Sequence, residues 1–177
     1  MRMLGTTVIA CTRGGAAAIA CDGQVTAGGM ILKRGARKIR RLYDGRVLAG
    51  FAGGAADGLH LFERFELQLE THGGRLPRAA LELAKEWRSD RRLRRLDAQL
   101  IALDGEHAFL ISGAGDILEP DDGLVAIGAG APYALAASRA LLCHAGSLGV
   151  EEILRQALTI TAGICIYTND AIQVERL

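Results

Sequence analysis

Between Thr7 and Gly54 the chain sets short apolar runs against glycine-rich breaks. Thr7 to Cys11 and Ala16 to Ala20 are parted by Arg13-Gly14-Gly15, a hairpin signal. Leu42-Tyr43 and Arg46 to Gly50 flank Asp44-Gly45, whose chemistry suits a second tight turn. Between these pairs, Asp22-Gly23 and Gly28-Gly29 predict a further turn or a short strand pair. The period then changes. Leu59, Phe62, Phe65 and Leu69 recur in steps of three and four, which predicts an amphipathic helix from Ala55 to Leu69 closed by Gly73-Gly74. A second helix starts near Pro77, with Ala80, Leu83, Ala84 and Trp87 on one face. Strands are expected at Gln99 to Leu103, Ala108 to Ser112 and Leu124 to Ile127. Helices follow at Pro132 to Cys143 and Val150 to Thr161, then a last strand at Ala171 to Val174.

Strands grouped with strands and helices with helices, without strict alternation, indicate an α+β fold built on antiparallel sheets. A central pair of sheets covered by helices on both sides would bury all four helical faces. At 177 residues, with no internal repeat, low-complexity tract or linker, the chain reads as one domain. Glycine supplies 23 of the 177 residues, well above ~7% average usage, so many turns need positive φ or close backbone approach.

Charge narrows the functions. With 21 basic against 20 acidic residues the net charge is +1, which gives no argument for nucleic-acid, membrane or acidic-substrate binding. The dense basic run is Arg88, Arg91, Arg92, Arg94 and Arg95. In a helix, Arg88, Arg91, Arg92 and Arg95 would share one face, read as a solvated or subunit-contacting surface. Cys11, Cys21, Cys143 and Cys165 form no CxxC pair and sit among small or apolar residues. That pattern, with no stretch long enough to span a bilayer and no signal peptide in Met1 to Gly5, predicts a reduced, cytoplasmic protein.

Candidate chemistry begins at Thr6-Thr7, which opens the first strand behind Gly5. If the Gly5-Thr6 bond is cut, Thr6 carries a hydroxyl and a free α-amine on adjacent carbons, and the amine can serve as base for the hydroxyl. An α-amine has a reference pKa of about 7.7 to 8.0, which a nearby cation would lower. Asp22 and Lys38 are candidate charges, although by residue type alone Lys38 reads first as a surface lysine and Asp22 as a turn former. The segment Gly50-Phe51-Ala52-Gly53-Gly54 offers backbone N–H groups for a developing oxyanion, or is simply a strand-to-helix turn. Gly128-Ala129-Gly130-Ala131 has the same ambiguity. It lacks the Lys-Ser/Thr of a phosphate loop.

Taken in order, several segments resemble the HslV (ClpQ) family of proteasome-like peptidases. They are Thr6-Thr7, Gly23-Gln24-Val25, the run from Arg37 to Tyr43, Ala49 to Gly54, Leu61 to Glu66, Ala84 to Arg88, Leu93 to Leu96, Ala126 to Gly128, and Cys165 to Asn169. The resemblance covers nearly the whole chain from Thr6 to Leu177. It implies the N-terminal-nucleophile hydrolase fold, a four-layer αββα sandwich, with residues 1–5 a leader removed on maturation and 6–177 a single peptidase domain. It also implies two stacked hexameric rings, an HslU-type AAA+ ATPase partner that delivers unfolded protein, and no nucleotide in this subunit. By position, Thr6 matches the nucleophile and base, Asp22 and Lys38 the charged pair that tunes it, and Gly50 the oxyanion donor. Ala162, Cys165 and Thr168 match backbone-carbonyl ligands of a monovalent cation, usually sodium.

Two departures stand out. Family members commonly begin Met-Thr-Thr, whereas Met1-Arg2-Met3-Leu4-Gly5 precedes Thr6 here. Ala129 replaces the usual Ser of Gly-Ser-Gly, removing a hydroxyl near the catalytic threonine. Both features favour a rival reading, a proteolytically silent ring subunit. An amidohydrolase of the same superfamily is a third. Intact Thr6, Asp22 and Lys38 favour the active peptidase.

Overall fold

The computed structural model describes residues 3–4, 6–90, 98–112 and 114–177. Its strands are β1 (Met3–Leu4), β2 (Thr7–Arg13), β3 (Ala16–Cys21), β4 (Val25–Ala27), β5 (Met30–Lys33), β6 (Ile39–Leu42) and β7 (Val47–Gly53). Helices α1 (Ala55–Thr71) and α2 (Leu76–Ser89) follow, then β8 (Ala98–Leu103), β9 (Ala108–Ser112), β10 (Ile117–Leu118) and β11 (Leu124–Gly128). Helices α3 (Ala131–His144) and α4 (Val150–Ala162) precede the last strand, β12 (Gln173–Arg176). Arg91, Arg92, Arg94 and Arg95 of the basic run lie outside the described residues; Arg88 is exposed on α2.

Two antiparallel sheets carry the architecture, one ordered β10-β9-β8-β7-β6 and the other β11-β2-β3-β12. Side-chain alternation along each strand divides the interior into three cores. In β2, Val8 and Ala10 point between the sheets, while Ile9 and Cys11 point toward α3 and α4. In β8, Ile101 and Leu103 join the inter-sheet core while Leu100 and Ala102 face α1 and α2. A sheet buried on both faces must be apolar at every position. The runs in β2, β3, β8 and β11 therefore show no polar alternation. The result is the α+β, four-layer αββα arrangement implied by the sequence, with Trp87, Phe62 and Phe65 fully buried beneath α1 and α2.

Local rules account for the joints. Phe51 meets Phe62 edge-on at 5.4 Å between ring centres. Gly58 permits this, because a Cβ there would overlap the Phe51 ring. A glycine inside a helix costs about 1 kcal/mol relative to alanine, which that packing offsets. Gly28 and Gly29, with φ of 55° and 80°, turn β4 into β5. That hairpin belongs to a small third sheet, ordered β1-β4-β5, in which Met3 pairs with Ala27 and Leu4 with Thr26. All four cysteines carry free thiols. Among the described residues, no helix is long and apolar enough to cross a membrane.

Candidate active site

Hairpin register brings the first candidates together. Val8 pairs with Cys21, so Thr7 and Asp22 face each other at the ends of β2 and β3. The Asp22 N–H donates to the Thr7 carbonyl at 3.2 Å, and the Thr7 N–H donates to Asp22 Oδ1 at 2.8 Å. Thr6 precedes this pair, is 6% exposed, and accepts the Ala129 N–H through its carbonyl at 3.0 Å. Gly128, at φ +91°, makes that approach feasible: a Cβ there would overlap the Thr6 carbonyl oxygen.

Lys38 immediately precedes β6, which belongs to the other sheet. The residue is 2% exposed, unlike the neighbouring Arg37, Arg40 and Arg41, which face solvent. Nζ donates to Asp22 Oδ1 at 2.7 Å and to the Gln24 carbonyl at 2.7 Å. Burial holds the Lys38 pKa below the ordinary lysine value of 10.5, with the Asp22 carboxylate opposing that shift. Asp22 is 0% exposed and saturated with donors. Oδ1 takes Thr7 N–H and Lys38 Nζ, while Oδ2 takes Gln24 N–H at 2.8 Å and Asn169 N–H at 3.3 Å. A buried charge pair is tolerable when its remaining hydrogen-bonding capacity is filled in this way.

Gly50 occupies a different kind of position. It lies mid-strand in β7, between Ile39 of β6 and Ile101 of β8. The Phe51 N–H donates toward β6, to the Lys38 carbonyl, at 3.3 Å. Successive amides in a strand face opposite edges, so the Gly50 N–H faces β8 and the sheet ladder, away from the open cleft. What Gly50 provides is space: a Cβ there would stand 2.8 Å from Val8 Cγ1 and 3.0 Å from Ile19 Cδ1. The same alternation turns the Gly53 N–H to the edge that Lys38 occupies, at a point where β6 has already ended. Gly53 has φ +131° and closes β7 at the N-terminus of α1.

The third wall is the turn after α4. Thr168 Oγ1 lies 2.7 Å from Thr7 Oγ1, which also accepts the Gly130 N–H at 3.0 Å. Gln24 Nε2 donates to the Ile166 carbonyl at 2.8 Å. Ala162 ends α4, and the bonds that close the turn draw on the carbonyls of Thr159, Ile160, Thr161 and Cys165. Ala162, Cys165 and Thr168 thus share one turn at a helix C-terminus, where carbonyl oxygens concentrate negative potential. That donor chemistry fits a hard monovalent cation held by oxygen. Among the described residues no group of three His, Cys, Asp or Glu side chains is placed to bind a metal. Sequence patterning missed Gln24 and the side chains of Thr168 and Asn169, because a buried polar residue in a loop leaves no periodic trace.

A cavity of about 860 Å³ lies elsewhere, lined by Thr12, Arg13, Glu119, Asp122 and Arg139 among others. It sits at the far end of β2 from Thr6, roughly 20 Å away at about 3.4 Å per residue. The chemistry therefore assembles at the strand ends, on the same side as β1, outside that cavity.

Residues 3–177 match the family described as proteasome subunit. An ATP-dependent protease subunit HslV from Geobacillus sp. (strain WCH70) is 58% identical over 174 residues, 97% of each chain. The chain belongs to the HslV family. HslV of Syntrophobacter fumaroxidans is 53% identical over 98% of this chain and 96% of its own. The crystal structure of eukaryotic HslV from Trypanosoma brucei superposes with a TM-score of 0.91 at 42% identity, covering 97% of this chain and 98% of that one. Thiobacillus denitrificans BPH, solved in complex with epoxomicin, shares the fold at a TM-score of 0.78 and 21% identity, over 97% of each chain. The fold is that of the N-terminal-nucleophile hydrolases, and membership of the HslV family makes the chain a proteasome-like threonine peptidase.

Proposed function

We propose that this chain is the proteolytic subunit of an ATP-dependent protease, cutting unfolded protein through an acyl-enzyme on Thr6 after residues 1–5 are removed. The observation that carries this reading is the buried Asp22–Lys38 pair hydrogen-bonded to the Thr7 amide, one residue from Thr6. In the mature chain the Thr6 α-amine takes the hydroxyl proton as Oγ attacks the scissile carbonyl carbon. The carbonyl π-electrons move to oxygen, which the Gly53 N–H meets in preference to that of Gly50. Collapse expels the new amine terminus, which takes the proton from the Thr6 ammonium. Water, deprotonated by the same amine, then attacks the ester, releases the acid product and restores Oγ–H. Lys38 keeps the amine unprotonated near neutral pH, and Asp22 fixes Lys38.

Residues 3 and 4 pair with β4 as an added strand, so these two residues occupy the edge that an extended peptide would use. The carbonyls of Ala162, Cys165 and Thr168 would hold a sodium ion that steadies the turn carrying Thr168 and Asn169. The relatives' designation as subunits of an ATP-dependent protease supports an HslU-type AAA+ partner; two stacked hexameric rings and work in the cytoplasm are part of the same proposal.

The pH dependence of peptide hydrolysis tests this assignment. The acid limb reports the Thr6 amine, which must lose its proton, and should fall below the reference range of about 7.7 to 8.0. The alkaline limb reports loss of the Lys38 proton. Burial lowers that pKa, so kcat/KM should decline before pH 10.5 is reached. An activity that keeps rising through pH 10.5 would remove Lys38 from the mechanism.

A further inference from the structure

The turn between α4 and β12 carries one side chain whose bonds join the two segments that bear the charged pair. Asn169 is 9% exposed. Its Oδ1 accepts the Gly23 N–H at 3.0 Å and the Ala171 N–H at 3.3 Å, and its Nδ2 donates to the Arg34 carbonyl at 2.9 Å. Its own backbone N–H donates to Asp22 Oδ2 at 3.3 Å. Gly23 directly follows Asp22, and Arg34 begins the segment that leads into Lys38. Those two segments already touch: the Ala36 N–H donates to the Gly23 carbonyl at 2.9 Å, and a Cβ on Gly23 would overlap the Arg34 carbonyl oxygen.

Oxygen facing two N–H donors and nitrogen facing a carbonyl also fix the amide's orientation. An Asp of the same shape keeps the acceptor, loses the donor, and sets a second carboxylate against the Arg34 carbonyl. An Ala loses both. We infer that Asn169 is a positioning residue, an amide clasp that holds the Asp22 segment to the Lys38 segment and so sets where the lysine charge sits relative to the Thr6 amine. It touches no reacting atom, so its influence passes through Lys38. This inference rests on the peptidase reading above.

The test compares Asn169→Asp and Asn169→Ala with wild type on a short chromogenic peptide, across pH, with the assembly checked by sizing. The expected result is a kcat lower by about ten- to a hundredfold with KM little changed, since misplacement of a catalytic group by about 1 Å costs that order. The acid limb of the profile should also move to higher pH as the lysine charge withdraws from the amine. A residue that only stiffens the loop would lower the yield of assembled protein without moving the profile. Variants that assemble and keep the wild-type kcat and acid limb overturn the inference. Failure of both variants to assemble also overturns it, because the amide then serves folding. An inactive wild type instead removes the peptidase reading, and this inference with it.

Discussion

Thr6→Ala should abolish peptide hydrolysis, a loss on the order of 10⁴-fold or more, as for other enzymes deprived of their nucleophile. The assembled protein should remain intact. Two bonds that do not use the Thr6 hydroxyl remain in the variant, the Thr6 carbonyl to the Ala129 N–H and the neighbouring Thr7 N–H to Asp22. Thr6→Ser keeps a hydroxyl beside an amine and should retain measurable turnover. Peptidase assays on sized, assembled protein check both variants. Substantial residual activity in Thr6→Ala would place the nucleophile elsewhere.

Lys38→Met should be nearly as damaging, and for two separable reasons. The variant strands a fully buried Asp22 carboxylate, and breaking a buried pair from one side costs about 3–5 kcal/mol of stability. It also removes the charge that lowers the amine pKa, so kcat should drop by roughly 10²- to 10³-fold, with the acid limb shifted upward. The double variant Asp22→Asn, Lys38→Met separates the two effects. Without a stranded charge it should recover much of the stability, read by thermal unfolding, and none of the activity. Recovery of activity in the double variant would show that the lysine serves structure alone.

Most of the architecture was legible because burial on both faces leaves a direct mark. Continuous apolar runs in β2, β3, β8 and β11 require layers on either side, and the helical period of α1, α2 and α4 supplies them. The last strand was less legible. It was expected at Ala171 to Val174 and forms at Gln173–Arg176. The Asn169 side-chain oxygen Oδ1 accepts the Ala171 N–H, the Ile172 N–H donates back to the Asp170 carbonyl, and pairing with Cys21 begins only at Gln173. An edge strand ending in Glu175 and Arg176 carries no hydrophobic signature. The two-residue strands β1 and β10 are too short to show any period.

Site legibility divides along similar lines. Asp22 and Lys38 stand out as candidate charges, yet nothing in Arg37-Lys38-Ile39-Arg40-Arg41 reveals that, of its four cationic side chains, Lys38 alone is buried; that follows from where the chain enters β6. Gly50 takes the oxyanion role only through its position in the family resemblance, and strand register, which no sequence pattern fixes, turns its amide toward β8. Asn169 was visible only as part of the run Cys165 to Asn169, since its value lies in joining segments distant in the chain. The Ala129 backbone N–H anchors the Thr6 carbonyl, a bond that does not depend on whether serine or alanine stands there.

The most direct test of the central claim is an intact-mass measurement of the purified protein before and after reaction with a peptide epoxyketone. The account predicts a chain beginning at Thr6, lacking residues 1–5, that gains the mass of one inhibitor, with the adduct mapped to Thr6. A chain that retains Met1 to Gly5 and takes up no inhibitor, or an adduct mapped to another residue, would contradict it.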